Sequence, residues 1–199
     1  MSHYFETPTG AENRREFRAT IFGREFRFTS ADGVFSGSRL DPGTAVLLRS
    51  IDPPTASTGR LLDLGCGIGT IAVGLAAACP QAHVTAIDVN DRALELTRLN
   101  AAGAGVEVTA LRPEDVPSDA QFDEIWSNPP IRIGKAALHE LLATWLARLT
   151  RDGRAYLVVG RNLGADSLQT WLTERGWSAE RLASAKGYRV LAVDAAQPC

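Results

Sequence analysis

A glycine-rich turn is the first place where the sequence could do chemistry. It contains Asp63-Leu-Gly-Cys-Gly-Ile-Gly69 after a short apolar segment, and Asp88 ends the next apolar segment. Glycines let the backbone approach a ligand closely and expose N–H groups at a helix N-terminus. A carboxylate at Asp88 can accept hydrogen bonds from ribose hydroxyls. The pattern predicts a nucleotide-type ligand; the alternative is a tight turn with Asp88 capping the following helix.

A second motif, Ser127-Asn128-Pro129-Pro130, lies at the end of the predicted strand over 122–127. Prolines cannot continue a strand ladder, and a residue before proline avoids the α region, so Asn128 is expected in an extended turn. Its side-chain oxygen and the Ser127 or Pro129 carbonyl could then hold one exocyclic amine and align its nitrogen lone pair with a bound reactant. Alignment of the two reacting atoms would supply most of the acceleration. The alternative is a loop that only ends the strand.

Basic residues and one tyrosine follow the later strands. They are Arg132, Lys135, Lys186, Tyr188 and Arg189. Arginine and lysine here could contact phosphates, and tyrosine could stack on an unpaired base. Any one of these residues could instead lie at a solvated helix start or in the core. The substrate-binding role is therefore predicted for the five residues together.

Composition excludes several classes of protein. The chain has 199 residues, 45% hydrophobic and 22% charged, which is typical of one folded domain and not of a disordered chain. Its three cysteines are widely spaced and predict no metal site. No apolar run approaches the ~18–20 residues of a membrane helix. We therefore expect a cytoplasmic protein with reduced thiols and no membrane partner.

Charge is distributed unevenly along the chain. Residues 61–127 carry 10 acidic and 3 basic side chains, whereas residues 128–199 carry 6 acidic and 10 basic ones. This asymmetry favours two binding surfaces of different character. Chance variation along the chain is the alternative.

The hydrophobic pattern predicts the elements that must position these residues. Residues 17–29 alternate around Gly23 as a β-hairpin with Phe17, Phe26 and Phe28 on its buried side, and a short helix over 41–51 follows. Strands and helices then alternate, which predicts an α/β fold with a Rossmann-like, seven-stranded, mostly parallel sheet. The predicted strands are 60–64, 83–87, 106–111, 122–127, 155–159, 178–184 and 188–194, and the helices 69–79, 91–101, 134–150 and 165–176. The connection over 185–187 is too short for a crossover, so the last strand is predicted to be antiparallel.

The motifs together resemble those of a known family. The glycine turn and Ala86-Ile-Asp88 resemble the first two motifs of class I S-adenosylmethionine-dependent methyltransferases. Asn128-Pro129-Pro130 resembles the signature of enzymes that methylate amino groups. The segments 122–135 and 186–191, with Gly33-Val-Phe-Ser36 and Leu40-Asp-Pro-Gly-Thr44, resemble the small-domain methyltransferase family, which includes rRNA guanine-N2 methyltransferases and archaeal single-domain relatives.

The resemblance implies S-adenosylmethionine as cofactor and RNA as partner, with ribosomal RNA or a ribosomal subunit favoured. It places the amine-holding role on Asn128, Pro129 and Pro130. The implied cofactor contacts are Asp63, Gly65, Cys66, Gly67, Asp88, Val89, Asn128 and either Glu114 or Asp115. The acidic middle of the chain suits the sulfonium and ammonium of this cofactor, whereas Asp63 would repel a pyrophosphate.

Two departures from the family pattern bear on the substrate. Ile131 stands where many relatives have an aromatic residue that stacks on the target base, and Pro113 removes a backbone donor near the implied adenine site. The expected organisation is an extension over 1–58 packed on a methyltransferase domain over 59–199. The leading function is methylation of a guanine amine in RNA; the alternatives are methylation of protein glutamine and an inactive cofactor-binding module.

Overall fold

The first two strands form a hairpin. In a computed structural model, which describes residues 13–35, 38–54 and 59–196, β1 (Arg14–Ile21) pairs antiparallel with β2 (Arg24–Ala31). Phe17 lies opposite Phe28 with 5.7 Å between the ring centroids, and Phe26 lies beside Phe28 on the same face. The predicted hairpin and its aromatic face are confirmed.

Helix α1 (Pro42–Ser50) follows the hairpin and begins at a capped N-terminus. The Asp41 Oδ1 atom accepts hydrogen bonds from the backbone N–H groups of Gly43 and Thr44, at 2.7 and 3.0 Å. Proline at the first helical position needs no donor there, so this local sequence is well suited to start a helix. The predicted helix is confirmed.

Seven strands form the main sheet, in the order β5-β4-β3-β6-β7-β9-β8. They are β3 (Arg60–Leu64), β4 (His83–Ile87), β5 (Thr109–Leu111), β6 (Phe122–Ser127), β7 (Leu149–Gly160), β8 (Ser178–Ala185) and β9 (Tyr188–Asp194). β3 to β7 pair in parallel, while β9 pairs antiparallel with both β7 and β8. The predicted sheet with its antiparallel last strand is confirmed, and β9 inserts between β7 and β8.

Helix α1 and four further helices of the described chain cover the two faces of this sheet. The four are α2 (Thr70–Ala78), α3 (Asp91–Ala104), α4 (Lys135–Leu146) and α5 (Ala165–Glu174). The hairpin, α1, α2 and α3 share one hydrophobic core, and α4 and α5 pack on the other face of the sheet. The backbone N–H of Thr29 donates to Asn100 Oδ1 at 2.7 Å, so β2 is tied directly to α3. No helix in the described ranges has the length and apolarity that a membrane span needs.

Several predicted boundaries are wrong for local reasons. Helix α3 continues to residue 104 and not 101, and β5 begins at residue 109 and not 106, because Gly105 ends α3 in a left-handed conformation and the Val106 N–H bonds back to Ala101. Helix α4 ends at residue 146 and not 150, because Leu149 already pairs with Phe122. β7 therefore begins six residues earlier than predicted, through a polar stretch that lacks a strand pattern.

The predicted division of the chain at residue 58 stays a prediction. Residues 1–12 and 55–58 lie outside the described residues, as do Ser36 and Cys199. The two other cysteines, Cys66 and Cys79, are buried and form no disulfide within the described residues.

Candidate active site

A cavity of about 360 Å³ opens at the carboxyl ends of β3, β4 and β6. Parallel α/β sheets bind ligands at this edge, because the loops after neighbouring strands diverge there. The cavity brings together most of the residues that the sequence predicted. Those that line it are Gly65, Gly67, Asp88, Val89, Asn128, Pro129, Pro130, Arg132 and Tyr188.

The glycine turn forms one wall of the cavity. Gly65, Gly67 and Gly69 all adopt positive φ angles, of 75°, 55° and 78°. At Gly69 a side chain is also excluded by space, since a Cβ would lie 2.7 Å from the Thr97 side chain. The turn therefore lines the cavity with backbone at Gly65 and Gly67 and packs closely on α3 at Gly69.

Asp88 lies beside this turn and faces the cavity. Its Oδ2 atom accepts from the Gly67 N–H at 2.9 Å, and its Oδ1 atom accepts from the Asn90 N–H at 3.0 Å. Burial raises the pKa of this carboxyl. Each carboxylate oxygen can accept more than one hydrogen bond, so both retain capacity for ligand hydroxyls.

Asp63 differs from Asp88, because it is fully buried and does not line the cavity. Its Oδ2 atom accepts from the Ala72 N–H at 2.9 Å, while its Oδ1 atom has no hydrogen-bond partner among the described residues. Burial, with a smaller effect from the Asp88 charge, raises the pKa of Asp63 to about 7. An unpartnered buried carboxylate oxygen behind the glycine turn suits a cationic ligand.

Cys66 contributes to a second, smaller cavity of about 20 Å³ that adjoins the first. Both cavities include Phe35, Asp41, Gly67 and Asn128 in their walls. Burial raises the pKa of the Cys66 thiol, so it is an uncharged part of the wall.

The Asn128 side chain is held from the N-terminal part of the chain. Its Nδ2 atom donates to Asp41 Oδ1 at 2.8 Å and to Thr44 Oγ1 at 3.1 Å. Neither contact was predicted from the sequence. Asp41-Pro-Gly-Thr44 is typical of a helix start, but nothing local links Asp41 to a residue 87 positions away.

Two predicted acidic residues lie apart from the cavity. Glu114 and Asp115 are exposed and do not line it, although the neighbouring Pro113 does. The Arg112 guanidinium binds Glu114 at 2.7 Å and lowers its pKa. Which of the two acids meets an adenine therefore stays a prediction.

The predicted basic group is only partly assembled. Lys135 and Lys186 are exposed and lie outside the cavity lining. Arg189 is largely buried and forms an ion pair with Asp166, so its charge is already matched. The basic side chains that remain available for a substrate are Arg132 in the cavity wall and the two exposed lysines beyond it.

Tyr188 lines the cavity and also packs against the start of α1. A Cβ on Gly43 would lie 2.9 Å from the tyrosine ring, so glycine is needed for this close approach. The ring therefore joins β9 to the N-terminal part of the chain at the edge of the cavity.

Three apolar side chains in the cavity wall remain strongly exposed. They are Phe35, Val89 and Leu163, at 44%, 43% and 57% of full exposure. Neither Phe35 nor Leu163 was predicted as a site residue from the sequence. Apolar groups held open at a cavity suit a planar, partly apolar ligand.

Comparison with known proteins identifies the family. Residues 25–192 match the sequence model of the methyltransferase small domain. The chain belongs to this family. It is therefore an S-adenosylmethionine-dependent methyltransferase, as the sequence motifs predicted.

Individual relatives extend this assignment. The chain is 32% identical to the uncharacterized protein YbxB of Bacillus subtilis over 95% of its own length and 96% of that protein. It is 41% identical to ribosomal RNA small subunit methyltransferase C of Aeromonas hydrophila, over 62% of the chain but 36% of the relative. The solved 16S rRNA N2 G1207 methyltransferase of T. thermophilus, in complex with AdoMet and guanosine, superposes with a TM-score of 0.80 at 26% identity, over 94% of this chain and 52% of that one.

These comparisons fit the geometry of the site. S-adenosylmethionine carries a positive sulfonium, and the structure places two carboxyls, Asp63 and Asp88, beside the glycine turn. The chain spans about half or less of the rRNA methyltransferases it matches and nearly all of YbxB.

Proposed function

We propose that this methyltransferase transfers a methyl group to the exocyclic amine of a guanine in RNA, with ribosomal RNA of the small subunit as the substrate. The observation that carries the proposal is the Asn128 amide, whose NH₂ group is engaged by Asp41 and Thr44 while the residue lines both cavities. The remaining polar atom of that side chain is an acceptor, Oδ1, which is the group that an amine substrate needs.

The cofactor contacts in this proposal come from the glycine turn and the end of β4. Asp88 accepts hydrogen bonds from the ribose hydroxyls, and the Gly65 to Gly67 backbone contacts the amino-acid part of the cofactor. Val89 packs on the adenine, for which its exposure in the cavity wall is suitable. Asp63 acts through its negative charge, since it does not reach the cavity surface.

The cofactor supplies a methyl group on a sulfonium, which leaves as a neutral thioether. Asn128 Oδ1 and the Ser127 or Pro129 carbonyl hold the two amine hydrogens, which turns the nitrogen lone pair toward the methyl group. The nitrogen loses a proton to water after transfer, so the chain needs no strong base. Alignment of the two reacting atoms is the main catalytic contribution.

The mouth of the cavity supports RNA as the polymer. Arg132 lines the cavity, and Lys135 and Lys186 are exposed, so they can contact phosphates. A base turned out of the RNA can stack on three side chains of the cavity wall, Tyr188, Phe35 and Leu163. They take the place of the aromatic residue that many relatives have at the position of Ile131. The AdoMet and guanosine complex of the T. thermophilus relative favours guanine over other bases.

The test is methyl transfer from labelled cofactor to three substrates: free 16S rRNA, assembled small subunits and total protein. We expect label in RNA, recovered as N2-methylguanosine after digestion to nucleosides. Label in another nucleoside would contradict the assignment of guanine. Label confined to protein would favour glutamine methylation, and no transfer to any fraction would favour a binding module.

A further inference from the structure

The Asn128 side chain is held by two acceptors from the start of α1. Its Nδ2 atom lies 2.8 Å from Asp41 Oδ1 and 3.1 Å from Thr44 Oγ1. An amide nitrogen carries two hydrogens, so these two contacts use its full donor capacity. Thr44 is 5% exposed, which shields this contact from water.

Asp41 decides which end of the amide faces α1. An ionised carboxylate is only an acceptor, so it can be met by the NH₂ end of Asn128 and not by Oδ1. The reverse orientation would bring two oxygens to hydrogen-bond distance without a hydrogen between them. A hydroxyl such as that of Thr44 can donate or accept and would tolerate either orientation.

We propose that Asp41, assisted by Thr44, is a positioning residue that orients the Asn128 amide so that its oxygen is presented to the substrate amine. The inference rests on the proposed function, in which Asn128 Oδ1 holds that amine. It assigns a part in catalysis to the predicted N-terminal extension.

The local structure gives Asp41 little freedom to move. The same Oδ1 atom that binds Asn128 also caps α1 through Gly43 and Thr44. The Tyr188 ring packs against Gly43 so closely that a Cβ there would lie 2.9 Å from it. The helix start is therefore held between β9 and the Asn128 loop, which makes it a rigid support for the amide.

The first test is Asp41→Ser, because serine caps helices about as well as aspartate but is too short to reach Asn128. Methyl transfer is measured in single turnovers with saturating cofactor and RNA. We expect the rate to fall by about 10- to 100-fold, because a shift of about 1 Å in the Asn128 amide misaligns the substrate amine. The affinity for RNA should change less. A wild-type rate in this variant would overturn the proposal, as would a defect that saturating cofactor and RNA abolish.

A second test exchanges the two side chains. Asn128→Asp alone sets two carboxylates against each other and should be less active than Asn128→Asp combined with Asp41→Asn. In the double variant the amide stands at position 41 and the carboxylate at position 128. The amide oxygen can then cap α1, while the amide NH₂ group donates to the carboxylate. Equal rates for the single and double variants would contradict the positioning role.

A third test does not depend on the substrate. In the ¹⁵N-labelled wild type, the Asn128 side-chain NH₂ protons should exchange slowly with water, and Asp41→Ser should speed this exchange by about tenfold or more. Fast exchange in the wild type would overturn the proposed contact. If the wild type methylates no RNA, the guanine assignment fails while this measurement still decides the orientation of the amide.

Discussion

The Asp88 carboxylate accepts a hydrogen bond from the backbone N–H of Gly67, with 2.9 Å between the nitrogen and the oxygen. The contact ties the end of β4 to the turn after β3. The carboxylate that faces the cavity therefore also holds the glycine turn in shape.

Replacing Asp88 should weaken cofactor binding. In Asp88→Ala we expect a loss of about 1.5–3 kcal/mol, or roughly ten- to a hundredfold in Kd, because charged hydrogen bonds to the ribose are removed. Isothermal titration calorimetry measures the change. Asp152→Asn, an exposed carboxyl near the start of β7, is the control and should bind normally. Unchanged affinity in folded Asp88→Ala would remove this residue from the site.

Cofactor affinity should depend on pH through Asp63. Its pKa of about 7 in the free protein means that binding a cation must favour loss of the Asp63 proton. Affinity should rise about tenfold between about pH 6 and about pH 8. Asp63→Asn should bind more weakly at pH 8 and lose this part of the pH dependence. A parallel pH profile in the variant would show that Asp63 is not coupled to the ligand.

Asp63 should affect the stability of the protein in the opposite direction, because stability should fall as pH rises. The pKa of Asp63 is raised from 3.8 to about 7, so the folded protein without cofactor holds this proton more tightly than the unfolded chain does. Its contribution to stability is present below about pH 4 and decreases as pH rises toward about 7. Asp63→Asn should therefore gain stability relative to the wild type across this range. Chemical denaturation at several pH values, without cofactor, measures the difference.

Asn128→Ala should separate catalysis from cofactor binding. The amide aligns the nucleophile and not the methyl donor, so we expect methyl transfer to be lost while cofactor affinity stays near that of the wild type. Transfer assays and calorimetry on the same preparation provide both values. Asn13→Ala, an exposed asparagine that bonds to Asp32, is the matched control. A wild-type rate in Asn128→Ala would refute the amine-holding mechanism.

RNA affinity should depend on three exposed cations, one in the cavity wall and two beyond it. They are Arg132, Lys135 and Lys186. Neutralising all three should weaken RNA binding and flatten its salt dependence, since each lost phosphate contact removes about 0.7–0.9 from the log–log slope. Cofactor affinity should be unchanged. Binding at several salt concentrations measures the slope.

A matched control neutralises three arginines near the amino ends of the parallel strands. They are Arg60, Arg148 and Arg151. Their loss should leave the slope close to that of the wild type, because they lie at the other edge of the sheet. The variant without the charges of Arg132, Lys135 and Lys186 could instead have the same slope as the wild type. That result would refute RNA binding at the carboxyl edge of the sheet and favour a protein substrate.

Much of the fold was determined by local sequence. The strands over 60–64, 83–87 and 122–127 have the predicted bounds, because each is a short segment with buried apolar residues that is followed closely by glycine, proline or a helix cap. These endings also placed Asp88 and Asn128 at one edge of the sheet, since parallel strands end together. A local pattern is sufficient where burial and backbone preference act within a few residues.

Tertiary structure alone decided which polar groups are partners. Asp41 lies 87 residues from Asn128, and its capping role by itself gives no reason to expect that second contact. Arg189 looked like a free cation by position, yet it pairs with Asp166, and Glu114 pairs with Arg112. Hydrophobic periodicity specifies which face of an element is buried, but a charged side chain has the same local pattern whether its partner is water, a ligand or a distant residue. The partner is determined by how the elements pack, which is why the support of Asn128 by α1 is visible only in the folded chain.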